Sequence, residues 1–286
     1  MATYVTSDAH GHLRALAHAF EMAQPGADDT VFVLGDMIDR GPDPVGVLRL
    51  MRQLPNVHVL MGNHESMLVN ALVKGDAMER VTWEMNGGFA TTTAFAGLAD
   101  SDRIELLDWL ANLPVFGIAD VIDRRPSFGG RLSRPYILTH AGIDIEVMHD
   151  SLDARGFDAS TYSAATANDL FEAMGDQDAQ DLLWIRGDFW AFPTGLVDGR
   201  GHGPIVVAGH TPSPVLGKYA CRMSGRGIDA EGRGLMVEVG ACADTGGVAD
   251  HVCIDCAAAG GSPSGRVGIM RLEDRKTWLV DVLDGE

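Results

Sequence analysis

The first 75 residues alternate between short apolar runs and segments whose apolar residues recur at helical spacing. This alternation restricts the possible folds more than any other feature of the chain. Three predicted strands alternate with three predicted helices, at residues 3–7, 12–24, 30–35, 43–54, 57–62 and 64–75. A β-α-β-α-β-α order predicts a largely parallel sheet with helices packed on it, and therefore the α/β fold class.

The rest of the chain continues with a mixture of helices and strands. Residues 102–113 have helical spacing. Apolar runs predict further strands at residues 115–122, 134–140, 204–210, 250–255, 266–273 and 277–283. A glycine- and arginine-rich turn separates the first two of these, and the last two form a hairpin. Residues 212–249 match no element pattern and are a candidate insertion near the functional site. Because no repeat or linker is evident, residues 1–286 are expected to form a single domain.

The composition narrows the possible partners and locations. The chain has 286 residues and a formal net charge of −18, which repels nucleic-acid phosphates and anionic membrane surfaces. Neither nucleic acid nor a membrane is therefore an expected partner. No apolar run reaches the ~18 residues of a membrane span, and the first ten residues lack the pattern of a secretory signal. These features predict a cytoplasmic protein and leave the oligomeric state open.

Polar side chains follow five of the predicted strands. In chain order they are Asp8 and His10, then Asp36, Asp39 and Arg40, then Asn63 and His64, and finally His140 and His210. Ligand sites in open α/β sheets lie at the carboxyl ends of the strands. The sequence therefore predicts one site at which carboxylate, imidazole and amide groups meet.

This mixture of side chains favours a dinuclear metal centre. Carboxylates and imidazoles bind Mn, Fe and Zn, and an aspartate between two ions can bridge them. Two ions about 3.5–4 Å apart can share a water, lower its pKa and clamp the oxygens of an in-line phosphoryl displacement. Arg40 could hold phosphate oxygens with its forked guanidinium. His64 is placed to donate a proton to the leaving group, and Asp39 could orient it through a hydrogen bond.

Several motifs resemble those of the PPP-type serine/threonine protein phosphatases, in particular the phage and bacterial members. "SDAHG" (7–11), "GDMIDRG" (35–41) and "GNHE" (62–65) are similar to the three signature motifs of that family, in the same order. "THAGI" (139–143) and "AGHT" (208–211) resemble its later histidine motifs, and "LLWIRGDF" (182–189) its second phosphate-binding arginine. The resemblance implies a calcineurin-like metallophosphoesterase fold, an αββα sandwich.

The resemblance also implies a role for each matching residue. Asp8, His10 and Asp36 would hold one metal, and Asp36, Asn63, His140 and His210 the other, with Asp36 bridging. The catalytic residues would be His64 as general acid, Asp39 as its support, and the arginines Arg40 and Arg186. Arg40, Arg186, Asn63 and His64 would contact the phosphate. The cofactors would be two divalent ions, with Mn favoured over Fe or Zn.

These roles predict a hydrolase that attacks phosphomonoesters directly with a metal-bridging hydroxide and forms no phospho-enzyme. The favoured substrate is a phosphoserine or phosphothreonine protein, and the alternative is symmetrical hydrolysis of diadenosine tetraphosphate. One branch of relatives that split this dinucleotide has glutamine where this chain has His10, whereas another branch keeps the histidine. A weakly active metal-binding scaffold ranks lowest, because every expected ligand is present.

Four residues near the C-terminus raise a separate possibility of a structural zinc site. They are Cys242, His251, Cys253 and Cys256, and the last two cysteines form a CxxC. A second such pair is missing from the sequence. We therefore interpret Cys253 and Cys256 as small buried residues.

Overall fold

The computed structural model describes residues 1–124 and 132–286. Its strands are β1 (Thr3–Thr6), β2 (Thr30–Val33), β3 (Val57–Val59), β4 (Phe116–Asp123), β5 (Leu132–Thr139), β6 (Ile205–Ala208), β7 (Val237–Val239), β8 (His251–Cys253), β9 (Arg266–Arg271) and β10 (Thr277–Asp281). Its helices are α1 (Leu13–Ala23), α2 (Pro44–Gln53), α3 (Asn63–Leu72), α4 (Ala77–Trp83), α5 (Phe89–Ala96), α6 (Asp100–Ala111), α7 (Ile145–Ala154), α8 (Ala167–Met174), α9 (Ala179–Trp184) and α10 (Gly187–Trp190).

The strands form two five-stranded sheets. The first has the order β10-β9-β1-β2-β3, in which β1, β2 and β3 are parallel and the β9–β10 hairpin is antiparallel. The second has the order β4-β5-β6-β8-β7, with β5, β6 and β8 parallel and both edge strands antiparallel. The predicted alternation and closing hairpin are confirmed. The parallel pairing predicted for the alternating segment is also confirmed for β1, β2 and β3.

Side chains alternate between two cores along each strand, as a period of two residues requires. Val5 and Val207 face the core between the sheets. Tyr4 faces the helices that cover the first sheet, and Val206 faces those that cover the second. The result is a four-layer αββα sandwich in one α/β domain, which confirms the predicted fold class.

Two stretches that the sequence left open have different outcomes. Residues 212–249 contain a 3₁₀ turn at Ser213–Lys218 and the edge strand β7, which pairs with β8. The predicted turn between β4 and β5 falls mainly on residues 125–131, outside the described residues. In the part of the chain that is described, no helix is long and apolar enough to cross a membrane.

Glu65 ties together the loops that follow β2 and β3. Its side chain is fully buried and accepts three backbone N–H bonds, from Asp36 at 2.8 Å, Met37 at 2.8 Å and Gly62 at 2.9 Å. A carboxylate can satisfy all three donors because both of its oxygens accept. The loop conformation after β2 therefore depends on a residue at the start of α3.

Glu65→Gln is expected to lower the free energy of unfolding by about 1–3 kcal/mol, because the amide NH₂ would face a backbone donor and leave it unpaired. Chemical denaturation measures the change. Glu273→Gln is a matched control: this buried glutamate accepts the Thr3 N–H at 2.9 Å, a bond that a glutamine oxygen can keep. Equal stability losses in the two variants would contradict the proposed role of Glu65.

Candidate metal centre

The predicted site residues lie together at the carboxyl ends of strands from both sheets. The His10 N–H donates to the Asp36 carbonyl at 2.9 Å, which joins the loops after β1 and β2. The His210 N–H lies 3.1 Å from both carboxylate oxygens of Asp8, which joins the loop after β6 to the first sheet. The two halves of the site are therefore joined by a backbone N–H of the second sheet's loop and the side-chain carboxylate of Asp8.

One group of donor atoms surrounds Asn63. Its Oδ1 lies 2.9 Å from Nε2 of His140 and 3.0 Å from Nδ1 of His210. Nε2 of His140 is also 3.4 Å from Oδ1 of Asp36. His140 Nδ1 is occupied by the Leu34 carbonyl at 2.7 Å, so Nε2 is the nitrogen that faces the group. These four side chains are the second predicted ligand set, and the structure brings them together.

A second group lies on the other side of Asp36. Oδ2 of Asp36 is 3.5 Å from Nε2 of His10 and 3.9 Å from Nε2 of His64. Because its two oxygens face two different groups, Asp36 has the placement of a bridging ligand. Asp8 was predicted to complete the first ligand set, and it lies beside this group, where its charge acts on Asp36.

Burial shifts the pKa of these side chains in two directions. Desolvation lowers the pKa of His10, of His210 and of His140, the last to about 3, so the imidazoles are neutral and can act as ligands. Desolvation and neighbouring carboxylates raise the pKa of Asp8 and Asp36 well above the usual range. Buried carboxylates crowded in this way need nearby positive charge to ionise together, and the donor set fits two divalent ions.

The catalytic candidates form a chain of contacts beside the second group. His64 Nδ1 lies 2.6 Å from Oδ2 of Asp39, and its Nε2 lies 3.0 Å from the Arg40 guanidinium. Arginine only donates, so Nε2 accepts and the His64 proton sits on Nδ1, toward Asp39. The structure thus contains the predicted Asp39–His64 pair with Arg40 next to it.

Arg186 reaches the site from the opposite side. It precedes α10, and its Nη1 donates to the His210 carbonyl at 2.9 Å and to the Thr211 hydroxyl at 3.2 Å. Trp184, two residues earlier, packs edge-on against the His210 ring with 5.9 Å between centroids. Arg186 is therefore anchored to the loop that carries one of the candidate ligands.

The backbone of the site is strained. Ten non-glycine residues in the described ranges have a positive φ. Six of them are predicted site residues: Asp8, His10, Asp36, Asp39, Arg40 and His210. Left-handed conformations are costly for such residues and concentrate at functional sites. The main chain itself therefore aims these side chains.

Sequence reasoning missed Asp255, a fully buried residue just after β8. Its carboxyl shares a hydrogen bond with that of Asp8, and burial raises the pKa of Asp255 to about 6. No local sequence pattern predicts this contact, because the two residues are 247 positions apart in the chain. Asp255 is also one of the two residues between Cys253 and Cys256. Both cysteines are buried, and their Sγ atoms contact the carbonyls of Thr211 and Ile254.

Comparison with known proteins points to one family. A family model described as calcineurin-like phosphoesterase matches residues 1–236. A symmetrical bis(5'-nucleosyl)-tetraphosphatase of Coxiella burnetii is 30% identical over 117 residues, which are 40% of this chain and 36% of that protein. A protein of the same name from Psychromonas ingrahamii is 30% identical over 145 residues, 50% of this chain and 45% of its own length. The matches thus span less than half of these relatives.

Solved structures share the fold at low identity. A structure assigned provisionally as a diadenosine tetraphosphatase is 14% identical, with a TM-score of 0.53 over 99% of this chain and 94% of its own. A serine/threonine phosphatase from Saccharomyces cerevisiae is also 14% identical, with a TM-score of 0.51 over 100% of this chain and 81% of its own. At this identity the likeness concerns the fold alone.

Asp255→Asn is expected to weaken metal binding by about 10- to 100-fold, because Asp8 would lose an ionisable partner next to the ligands. Calorimetric titration of the chelator-treated protein with Mn²⁺ measures the affinity directly. Asp250→Asn changes another fully buried aspartate, one that contacts Thr194 and His251, and is expected to leave the affinity unchanged. Unchanged affinity in the Asp255 variant would show that this carboxylate has no part in metal binding.

Proposed function

Because the chain belongs to the calcineurin-like phosphoesterase family, we propose that it is a metal-dependent hydrolase of phosphate esters whose preferred substrates are bis(5'-nucleosyl) tetraphosphates. The observation that carries the reaction class is the placement of Asp36, whose two carboxylate oxygens face two separate groups of ligand atoms. Two divalent ions, with Mn favoured, would be held by Asp8, His10 and Asp36 and by Asp36, Asn63, His140 and His210. When bound, they supply an activated water and positive charge for the phosphoryl group.

The two arginines bind and orient the phosphate in this proposal. Arg40 and Arg186 reach the ligand cluster from opposite sides, and both guanidiniums can form paired hydrogen bonds to phosphate oxygens. Asn63 and His64 complete the proposed phosphate contacts. Fixed positive groups of this kind stabilise the charge that develops during phosphoryl transfer.

His64 is the proposed general acid, and its proton has to reach the leaving oxygen through Nε2. In the structure Nε2 accepts from Arg40 at 3.0 Å. The hydrogen bond from Arg40 to Nε2 must therefore break when the Arg40 guanidinium binds a phosphate oxygen. Asp39 keeps hold of Nδ1 at 2.6 Å, which fixes the ring while Nε2 is protonated and deprotonated.

The substrate proposal follows the names of the curated relatives. Proteins from two organisms with about 30% identity to this chain are named symmetrical bis(5'-nucleosyl)-tetraphosphatases. These names favour the dinucleotide over the phosphoprotein substrate that the motifs predicted first. A phosphoserine or phosphothreonine protein is the second candidate. His10 argues only against the dinucleotide-hydrolysing branch that has glutamine at that place, since another such branch keeps the histidine. A weakly active scaffold remains the least favoured, since all candidate ligands are assembled.

Turnover of the Mn²⁺-reconstituted protein distinguishes these candidates. We expect kcat/KM for diadenosine tetraphosphate to exceed that for every member of a phosphoserine/phosphothreonine peptide panel by about tenfold or more, equivalent to ~1.4 kcal/mol of transition-state binding. ADP is the expected sole nucleotide product of a symmetrical cut. A preference for peptides would replace the proposal with the second candidate, and AMP plus ATP would refute the symmetrical cut. Absence of all turnover would favour the scaffold.

His64→Asn is expected to keep both metals and to slow turnover, because the proton donor is lost while the ligands stay in place. General acid catalysis contributes about 10²–10⁴-fold, and most of it is needed for poor leaving groups. The measurement compares kcat for phenyl phosphate with kcat for p-nitrophenyl phosphate and includes metal analysis. Equal losses for the two esters would exclude His64 as the general acid.

A further inference from the structure

The segment between α4 and α5 contacts the catalytic candidates from outside the sequence motifs. α4 ends at Trp83 and continues through a π-helical turn, Glu84–Gly88, into α5. Gly87 interrupts the helical geometry with φ 110°. Single π-helical turns inside α-helices are frequent at functional sites. This segment, residues 83–91, is called the elbow below.

Two elbow side chains hold Asp39. The Trp83 Nε1–H donates to Oδ2 at 2.8 Å, and the Thr91 hydroxyl donates to Oδ1 at 2.5 Å. The Thr91 hydroxyl also accepts the Asp39 N–H at 3.0 Å. All three residues are fully buried. With His64 donating from Nδ1, the Asp39 carboxylate receives three side-chain hydrogen bonds, and a buried carboxylate requires such compensation.

The elbow also holds Arg40. The Arg40 N–H donates to the Gly87 carbonyl at 3.2 Å, and Arg40 Nε donates to the Asn86 carbonyl at 3.3 Å. A Cβ on Gly87 would lie 2.8 Å from Cγ of Arg40. The Arg40 side chain therefore lies directly against the main chain of the elbow, with its guanidinium directed to His64.

We propose that the elbow is a positioning element that acts separately on the two catalytic groups, through Trp83 and Thr91 on the Asp39–His64 pair and through Asn86 and Gly87 on Arg40. This inference rests on the proposed function and extends it to residues outside the metal centre. The hydrogen bonds described above join the elbow to Asp39 and Arg40, neither of which is a candidate metal ligand. Through Asp39, the elbow orients the His64 ring that would protonate the leaving group. Through its main chain, it positions the Arg40 guanidinium that would bind the phosphate.

The Asp39 contacts are tested with Trp83→Phe and Thr91→Val. Trp83→Phe removes one donor, and the nearly isosteric Thr91→Val removes one donor together with the acceptor of the Asp39 N–H. Misorientation of His64 is expected to lower kcat for phenyl phosphate by about 10- to 100-fold and kcat for p-nitrophenyl phosphate far less. Inhibition by inorganic phosphate and metal content stay unchanged. Thr92→Val is the matched control, because the Thr92 hydroxyl is buried and has no hydrogen-bond partner among the described residues.

The Arg40 contacts are tested with Gly87→Ala. The added methyl group displaces the Arg40 side chain, and the dissociation constant for inorganic phosphate is expected to rise about 10- to 100-fold, the loss typical of a charge-assisted hydrogen bond. The leaving-group dependence of kcat stays as in the wild type. Gly75→Ala is the control: Gly75 also has a positive φ, 73°, but an added Cβ would meet nothing within 4 Å. Gly75→Ala therefore introduces backbone strain without a steric clash.

The outcomes separate the elbow from the proposed function. The proposal is overturned if Trp83→Phe and Thr91→Val slow both esters equally, or if Gly87→Ala and Gly75→Ala weaken phosphate binding to the same extent. If the wild-type protein hydrolyses no ester, the proposed function fails, but two readouts still test the elbow. They are phosphate affinity in the Gly87 variant, and the downfield proton resonance of His64 Nδ1–H in the Zn²⁺-loaded Trp83 variant, which must shift if Trp83 acts through Asp39.

Discussion

Mutual repulsion among buried carboxylates is the constraint on which the rest of the structure depends. Asp8, Asp36, Glu65 and Asp255 are all at least nine-tenths buried, and burial together with neighbouring carboxylates raises the pKa of the first two. Such a cluster is stable only with backbone donors, shared protons or cations. Glu65 is stabilised by backbone donors, since it accepts three N–H bonds. The oxygens of Asp36 instead face the imidazole and amide groups of the candidate ligands. The chemistry of the site follows from this division.

Much of the site could be predicted because its ligands stand in short motifs directly after strands. Chain order alone brings the ends of β1, β2 and β3 to one edge, and the histidines after β5 and β6 were found because they also follow predicted strands. Arg186 was found only through the family resemblance. Asp255, Trp83 and Thr91 could not be found in this way. Their contacts join residues 44 to 247 positions apart, and side chains that hydrogen-bond across the fold leave no local periodicity.

The fold was predictable to a similar degree. Binary patterns located most strands and helices to within a few residues, because one-sided burial imposes a period of 2 or 3.6. They did not reveal that β7 forms an edge of the second sheet, since residues 212–249 are rich in glycine and only a three-residue strand lies among turns.

The origin of the ligands in two different sheets has a mechanical consequence. Asp8, His10, Asp36 and Asn63 belong to the first sheet, and His140 and His210 belong to the second. An ion bound by ligands from both sheets would link the two sheets, in addition to the apolar core between them. Because a ligand that binds only the folded state stabilises it by mass action, chelation would loosen the whole domain as well as stop catalysis. The cellular supply of the metal would then govern how long the protein persists.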